Sequence, residues 1–188
     1  MQKLFLFLLL LTQVALAQNY QFEATAEGWS IRQGEQECKL AQFLKDERVS
    51  VTTGAPDNLL LLRFDGRLGL LRDGKLAVPP LYRSLGMTTY VGEVGWVHST
   101  QILDGFTGCQ NDGGLWGLLD KNGRVVIEPA FGEILYDGYF FSGNINPLEG
   151  MQDCRELAER NGHEILGFAL QDRKALGYFT SSGAFISL

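Results

Sequence analysis

Two stretches of the chain are nearly the same sequence. Residues 68–82 read LGLLRDGKLAVPPLY, and residues 115–131 read LWGLLDKNGRVVIEPAF. With Gly69 aligned on Gly117, both contain a Gly followed by two leucines, a polar turn that ends in Gly, a short apolar run and a Pro-x-aromatic close. An internal repeat constrains the architecture before any single residue does. We therefore expect the two stretches to fold in the same way.

Each stretch has the sequence signature of a β-hairpin. The turn dipeptides Asp73-Gly74 and Asn122-Gly123 are favoured where a tight hairpin turn needs positive φ. The proline after each second strand lacks a backbone donor and therefore ends the hydrogen-bond ladder. A third, weaker copy lies over residues 176–186, where Leu-Gly-Tyr-Phe is followed by a Ser-Gly turn.

The remaining sequence predicts a mainly β chain with one helix. Residues 18–66 contain short alternating segments between turn signals, which indicates an antiparallel meander. Residues 67–188 form the hairpin region, with a helix near 148–161 that has its apolar residues on one stripe. Residues 102–114 contain many Gly, Asn and Asp residues, so we expect a long loop there, and long loops are often functional.

The middle unit carries a resemblance to a known family. Trp116-Gly117 stands before Leu-Leu-Asp-Lys-Asn-Gly, an apolar run and Pro129-Ala130-Phe131, and this order resembles the bacterial WG repeat. The units at 68–82 and 176–186 have Leu in place of the Trp, and the last unit lacks the proline. The resemblance implies β-hairpin repeats and a role in protein interaction, and it implies no catalytic residues. The front section lies outside it.

The first seventeen residues read as a secretory signal. Lys3 supplies the positive start, Leu4 to Leu11 is an apolar run too short to span a bilayer as a helix, and Ala15-Leu16-Ala17 is a small-x-small cleavage site. We expect cleavage after Ala17, no membrane insertion of the mature chain, and a periplasmic or secreted location. An uncleaved N-terminal anchor is the alternative.

The charge pattern limits the class of partner. The formal net charge is −6, and the sequence has no cluster of Lys or Arg. An acidic surface repels phosphate backbones and anionic lipids, so nucleic acid and membrane partners are disfavoured. A protein partner is expected instead, and its identity is open.

Three cysteines are present, at positions 38, 109 and 154. They show no CxxC or Cys/His spacing, so no zinc site is expected, and no other cofactor motif is present. In an oxidising compartment one disulfide is expected. We favour the pair Cys109–Cys154, because tying down a long loop stabilises the fold. Three buried thiols that act as small apolar residues are the alternative.

Catalytic constellations are sparse. Neither His98 nor His163 has a nucleophile pattern around it, so both are expected to be structural. A glycosidase needs only two carboxylates, placed about 5–10 Å apart in a pocket with one of them desolvated. Candidate carboxylates occur within one region, at Asp104, Asp112, Glu128, Glu133 and Asp137. Turn and strand-edge positions also explain all five.

Two functions from different classes therefore stay open. The first is an exported, non-catalytic interaction protein of the bacterial cell envelope, whose hairpins present the segment 105–114 to a protein such as a basic enzyme or toxin. For this function the candidate binding residues are Trp96, Asp104, Phe106 and Asp112. The alternative is a small carbohydrate-active hydrolase that uses an Asp/Glu pair.

Overall fold

A computed structural model describes residues 20–53, 59–91, 95–100, 102–103, 105–137 and 148–188, with the backbone alone at 53, 89–91, 95 and 96. The expected signal sequence and the expected cleavage site lie outside these residues. The chain is mainly β. It divides into two compact units, of which the first ends at Lys45 and the second begins at Asp46. No helix among the described residues is long and apolar enough to cross a membrane.

The first unit is a small three-stranded antiparallel sheet followed by one helical turn. Its elements are β1 (Tyr20–Thr25), β2 (Gly28–Gln33), β3 (Gln36–Cys38) and α1 (Leu40–Phe43). Phe43 is fully buried and makes edge contacts with the rings of Tyr20 and Phe22, at 4.8 and 5.5 Å between centroids. The sequence favours a strand over residues 38–44, with a helix as the alternative. In the structure β3 ends at Cys38, and the helical turn α1 directs Phe43 into this core.

The described residues of the second unit form three sheets and one helix. Its strands, in chain order, are β4 (Val49–Thr53), β5 (Leu59–Phe64), β6 (Arg67–Arg72), β7 (Lys75–Tyr82), β8 (Ser84–Leu85), β9 (Met87–Val91), β10 (Gly95–Ser99), β11 (Phe106–Gln110), β12 (Trp116–Asp120), β13 (Val125–Phe131), β14 (Glu133–Tyr136), β15 (Ile165–Gln171), β16 (Lys174–Thr180) and β17 (Phe185–Ser187). The helix α2 spans Met151–Asn161.

The strands form sheets in a fixed order. Sheet 1 is β4-β5-β6-β7, sheet 2 is β13-β12-β11-β8, and sheet 3 is β10-β9-β14-β15-β16-β17. All strand pairs are antiparallel except the short β9–β14 contact. Across the expected boundary between residues 66 and 67, β5 and β6 pair from Phe64↔Arg67 to Leu59↔Arg72. The last two front strands, β4 and β5, therefore share a sheet with the first predicted hairpin, whereas β1 to β3 form the separate sheet of the first unit.

The two matching stretches fold into matching hairpins, β6–β7 and β12–β13. In the first hairpin, Leu68 pairs with Tyr82 and Leu70 with Val78, so the partner strand has two residues more than a regular ladder. In the second hairpin the pairs are Trp116↔Phe131 and Leu118↔Ile127, which is the same irregularity at the same place. Bulges of this kind bend the strand that carries the extra residues.

The glycine of each stretch is required by that bend. A Cβ atom on Gly69 would lie 2.8 Å from the nitrogen of Pro80, and one on Gly117 would lie 2.7 Å from the nitrogen of Pro129. Both are far inside van der Waals contact, and each added Cβ would also meet a carbonyl oxygen of the same partner strand. The bulged strand approaches so closely that only glycine fits.

The weakest copy also forms a hairpin, β16–β17, and its turn matches that of the second hairpin. In the second turn, Asp120 Oδ1 accepts hydrogen bonds from the backbone N–H groups of Asn122 and Arg124. In the third turn, Thr180 Oγ1 accepts from the N–H of Ala184 at 3.0 Å. The third hairpin has a regular register, consistent with the absence of the proline from its second strand.

The two apolar residues that follow each glycine face opposite sides, as successive strand residues do. Three buried clusters can be assigned among the described residues. Cluster I contains Leu59, Leu68, Leu70, Val78, Leu85, Cys109 and Leu119; cluster II contains Met87, Leu118, Phe131, Ile134, Leu166, Ala169 and Phe179; cluster III contains Leu135, Met151, Cys154, Ala158, Phe168, Leu170, Ala175 and Tyr178. Cluster I joins the first hairpin to the second, and cluster II joins the second to the third.

Helix α2 covers the outer side of the third hairpin. Met151, Cys154 and Ala158 bury one stripe of the helix in cluster III, against Tyr178. The expected C-terminal stop is confirmed, since Gly162 is left-handed and the N–H of His163 bonds to the carbonyl of Ala158 at 2.9 Å. The expected helix began three residues too early, because Gly150 is left-handed and interrupts the helical backbone.

Candidate functional site

The segment expected to be a presented loop is a strand inside sheet 2. Residues 106–110 form β11, which pairs with β12 on one side and β8 on the other. Thr107, Gly108 and Cys109 are buried. The loop was predicted from the many glycines of this segment, but Gly108 serves packing instead. A Cβ on Gly108 would meet Ile134 and the carbonyl of Gly86. Gly108 therefore allows close backbone approach within the fold, and its carbonyl accepts from the N–H of Gly86 at 2.9 Å.

Phe106 and Asp112, the two candidate binding residues whose side chains the structure describes, do not share one surface. Phe106 and Asp112 lie at opposite ends of β11, and the ring of Phe106 packs against cluster II. Four residue steps along a strand span about 13 Å, so the two side chains are well separated. Trp96 lies on β10 and its side chain is outside the described residues, as is all of Asp104.

Asp112 belongs to an exposed polar surface beside two leucines. Its Oδ2 accepts a 2.7 Å hydrogen bond from Nη2 of Arg67, whose Nη1 donates to the carbonyl of Leu81 at 3.0 Å. Leu81 is exposed, and so is Leu115, whose N–H bonds to the side chain of Asn111 in the same turn. The Arg67–Asp112 pair ties sheet 1 to the turn after β11, and the solvent that surrounds it makes its own contribution small.

The apolar residues of β13 are the clearest exposed feature. Val125 and Val126 are 43% and 41% exposed, whereas their counterparts in β7, Leu76 and Ala77, are 8% and 9% exposed. The two strands have the same register against their partners. Position in the molecule therefore causes the difference.

Contacts between successive hairpins explain this contrast. The turn glycine of the second hairpin, Gly123, packs against the backbone of Ala77 and Val78 and is itself buried. The corresponding Gly183 of the third hairpin approaches the equivalent Val126 and the ring of Phe106. Even with that contact, Val126 stays 41% exposed. No other strand of the described chain pairs with the outer edge of β13. We call Val125, Val126 and Ile127 the β13 surface.

The expected disulfide is not present. Cys109 and Cys154 are free and buried, and they lie in separate clusters, I and III. Burial raises the pKa of the Cys109 thiol to about 12 and that of Cys154 to about 11. Cys38 is also free and buried. All three cysteines are free and buried in this structure, which matches the alternative of three buried thiols, and no bond joins the pair Cys109–Cys154 that we favoured.

The carboxylates considered for catalysis separate into different environments. Glu128 is exposed on β13 and Asp112 is bound to Arg67. Glu133 and Asp137 line two different depressions of the surface. The candidate pairs drawn from these four described residues therefore do not converge on one pocket.

Asp137 is the most desolvated of these carboxylates. Burial raises the pKa of Asp137 above its ordinary value, while the charge and hydrogen bond of Arg155 act in the opposite direction. Arg155 Nη2 donates to Asp137 Oδ1 at 2.9 Å, and the guanidinium lies 5.4 Å from the ring centre of Phe168. Glu159 and His163 line the same groove of about 390 Å³. The groove thus holds a partly buried ion pair, and Glu159 lines the same groove.

Both histidines have structural hydrogen bonds. His98 Nε2 lies 2.9 Å from the carbonyl of Leu85, which can only accept, so this nitrogen carries a proton. His163 Nδ1 lies 2.8 Å from the hydroxyl of the fully buried Tyr178. The bond to His163 satisfies a polar group that would otherwise be costly to bury.

Within the described ranges, no three His, Cys, Asp or Glu side chains come together in a way that could hold a metal ion. Comparison of the chain with models of protein families, with curated proteins and with solved structures finds no match.

Proposed function

We propose that this chain is an exported, non-catalytic interaction protein of the bacterial cell envelope, built on hairpins that resemble WG repeats. The β13 surface is the contact that we assign to its protein partner. The expected signal sequence supports the location, and the matched hairpins support the family resemblance. The function itself rests on the exposure of β13.

The proposal rests on the difference in side-chain exposure between β7 and β13. The same apolar strand, in the same register, is buried by the next hairpin in one case and left exposed in the other. Each valine is already more than half buried, so covering the remainder stabilises an association by about 0.6–1.3 kcal/mol for each side chain before the costs of binding are counted. A strand edge of this kind also offers backbone groups to an added strand.

Charge indicates the type of partner. The net charge of −6 creates a field that attracts basic proteins and repels acidic ones. Electrostatic attraction mainly raises the association rate, and it weakens with salt. We therefore expect a basic protein whose capture falls as ionic strength rises.

Site-specific photo-crosslinking tests this proposal. A benzophenone amino acid replaces Val126 in the full chain, and Val51, which is 39% exposed on the sheet edge β4, gives the matched control. We expect a protein adduct in envelope extract from position 126 alone. The double substitution V125D and V126D should abolish capture of the same protein by the tagged chain.

Two results would contradict the proposal. One is an equal set of adducts from positions 126 and 51, which would indicate non-specific capture. The other is recovery of cell-wall glycan without any protein. A V51D variant shows whether an added charge on an edge strand harms folding in general, and circular dichroism of each variant checks this directly.

The groove beside α2 favours a second candidate, the hydrolase. Asp137 is desolvated and Glu159 lines the same groove, as a pair of carboxylates in a glycosidase would require. The charge and hydrogen bond of Arg155 oppose the rise in the pKa of Asp137, which weakens the argument for Asp137 as an acid. Hydrolysis of cell-wall glycan that is lost in both D137N and E159Q, with folding intact, would support this candidate over the first.

A further inference from the structure

A second depression of the second unit has an apolar floor and a charged rim. Its volume is about 380 Å³, within the range of small-ligand sites. It lies on sheet 3 and is lined by Thr88, Glu133, Leu135, Leu148, Leu170 and Arg173. None of these residues belongs to the β13 surface or to the groove of Asp137.

Strand register explains how the floor is built. Leu135 lies opposite Thr88 on β9, and Glu133 lies opposite Leu170 on β15. Directly paired residues, and residues two apart on one strand, share a face of the sheet. The third leucine, Leu148, is held over this face by its neighbour Glu149, which bonds through its carbonyl to the N–H of Ala175 and through its carboxylate to Lys174.

The rim carries two opposite charges. Glu133 and Arg173 both line the depression, and both are exposed. No ion pair joins either of them to another described residue. A carboxylate and a guanidinium beside an apolar floor complement a ligand that has an ammonium, a carboxylate and an apolar side chain.

The backbone of Arg173 is an independent sign of a role. Asp172 and Arg173 form the turn between β15 and β16 and both have positive φ, 50° and 63°. The two other such turns of this unit, Asp65-Gly66 and Asp73-Gly74, have glycine at the second position. Glycine adopts this conformation without a Cβ penalty, so Arg173 is strained where glycine is preferred. Strained residues of this kind cluster at functional sites.

We propose that this cavity binds a small apolar zwitterion, either a free apolar α-amino acid or an apolar dipeptide. Arg173 receives the carboxylate and Glu133 receives the ammonium. The partly buried Leu148 contacts the apolar side chain, above the almost fully buried Leu135 and Leu170. The site is independent of the β13 surface, so the two proposals succeed or fail separately.

Titration calorimetry of the full chain with L-leucine and with L-leucyl-L-leucine tests the proposal. We expect saturable binding of at least one of them, with the peptide or the free acid identified by the higher affinity. The N-acetyl derivative of the better ligand lacks the ammonium, and its amide lacks the carboxylate. Each derivative should bind at least roughly tenfold more weakly, because one rim contact is lost.

Arg173→Gly separates a binding role from a structural one. The variant should melt at a higher temperature than the wild type, because the strain is relieved, and should bind the zwitterion at least roughly tenfold more weakly. Glu133→Gln should weaken binding similarly, and the exposed Glu128→Gln on β13 serves as its matched control with unchanged affinity. No binding of either probe at millimolar concentration, or equal affinity in wild type and Arg173→Gly, overturns the proposal.

Discussion

The glycine that precedes the two apolar residues is the single residue on which each matched hairpin depends. We predict that Gly117→Ala lowers the free energy of unfolding by about 1–3 kcal/mol, because the new Cβ would push against the bulged strand at Pro129. Gly69→Ala should have an effect of the same size through Pro80. Denaturant titration measures both.

Gly113 provides the matched control for these substitutions. It lies in the turn after β11, and the nearest atom to an added Cβ is the side-chain oxygen of Asn111 at 3.3 Å. Gly113→Ala should change stability by no more than about 0.5 kcal/mol. If Gly117→Ala were equally mild, the close approach of the two strands would not be what requires glycine.

The buried thiols give a second test at the residue scale. Because burial raises the pKa of Cys109 to about 12 and that of Cys154 to about 11, both stay protonated in the folded chain near neutral pH. The thiolate is the reactive form. We predict that a disulfide reagent at pH 8 labels neither residue in the native protein and labels all three cysteines in guanidinium.

The same raised pKa values set the alkaline limit of stability. A thiol in the unfolded chain ionises near its ordinary value of 9.0, before the folded thiols do. The protons bound by the folded state therefore stabilise it below that value, and this contribution is lost as pH rises toward the folded values. The free energy of unfolding should therefore fall as pH rises above 9. In the labelling experiment, rapid reaction of the native protein at pH 8 would contradict the burial that we describe.

Residue types alone could not place the exposed sites. Val125 and Leu76 occupy the same position of the same pattern, yet only the stacking of the next hairpin distinguishes a buried strand from an exposed one. Arg173 is hard to single out from the sequence, because its significance depends on a φ angle and on partners from β9, β14 and the segment before α2. One signal is present in the sequence, because Arg173 stands at the turn position where the two Asp-Gly turns have glycine.

At the scale of elements, α2 stabilises the third hairpin by covering its outer side. Met151 is 1% exposed in cluster III, so Met151→Ala should cost about 2–5 kcal/mol through lost contacts and a cavity. Gln152→Ala, one position along on the exposed face, should cost no more than about 0.5 kcal/mol. Thermal and denaturant unfolding measure both, and similar costs would mean that the helix does not pack as described.

Local patterns predicted those elements whose geometry is set locally. The hairpins followed from their Gly turns, and the end of α2 followed from Asn161-Gly162, because the left-handed turn is a property of the residue itself. β11 was missed because Gly108 and Cys109 are there to fit Gly86, Ile134 and cluster I, which are distant in sequence. Glycine that serves close packing looks the same in a sequence as glycine that serves a loop.

At the scale of the whole molecule, the second unit is organised as layers. Cluster I lies between the first and second hairpins, cluster II between the second and third, and cluster III between the third hairpin and α2. In such an array each element is stabilised mainly by its neighbours, and the ends need a cap. Helix α2 takes the place that a fourth hairpin would occupy.

This organisation predicts which truncations the chain tolerates. Every strand pair of residues 46–188 is internal to that segment, and the three clusters contain no residue before Leu59. A fragment of residues 46–188 should therefore fold cooperatively by itself, with a single unfolding transition by both circular dichroism and tryptophan fluorescence.

A fragment of residues 46–180 lacks β17 and exposes cluster II at Phe179, which contacts Phe185. It should bind a hydrophobic dye and lose the sharp transition. Cooperative folding of the shorter fragment, or failure of the longer one, would show that stability is not built up layer by layer.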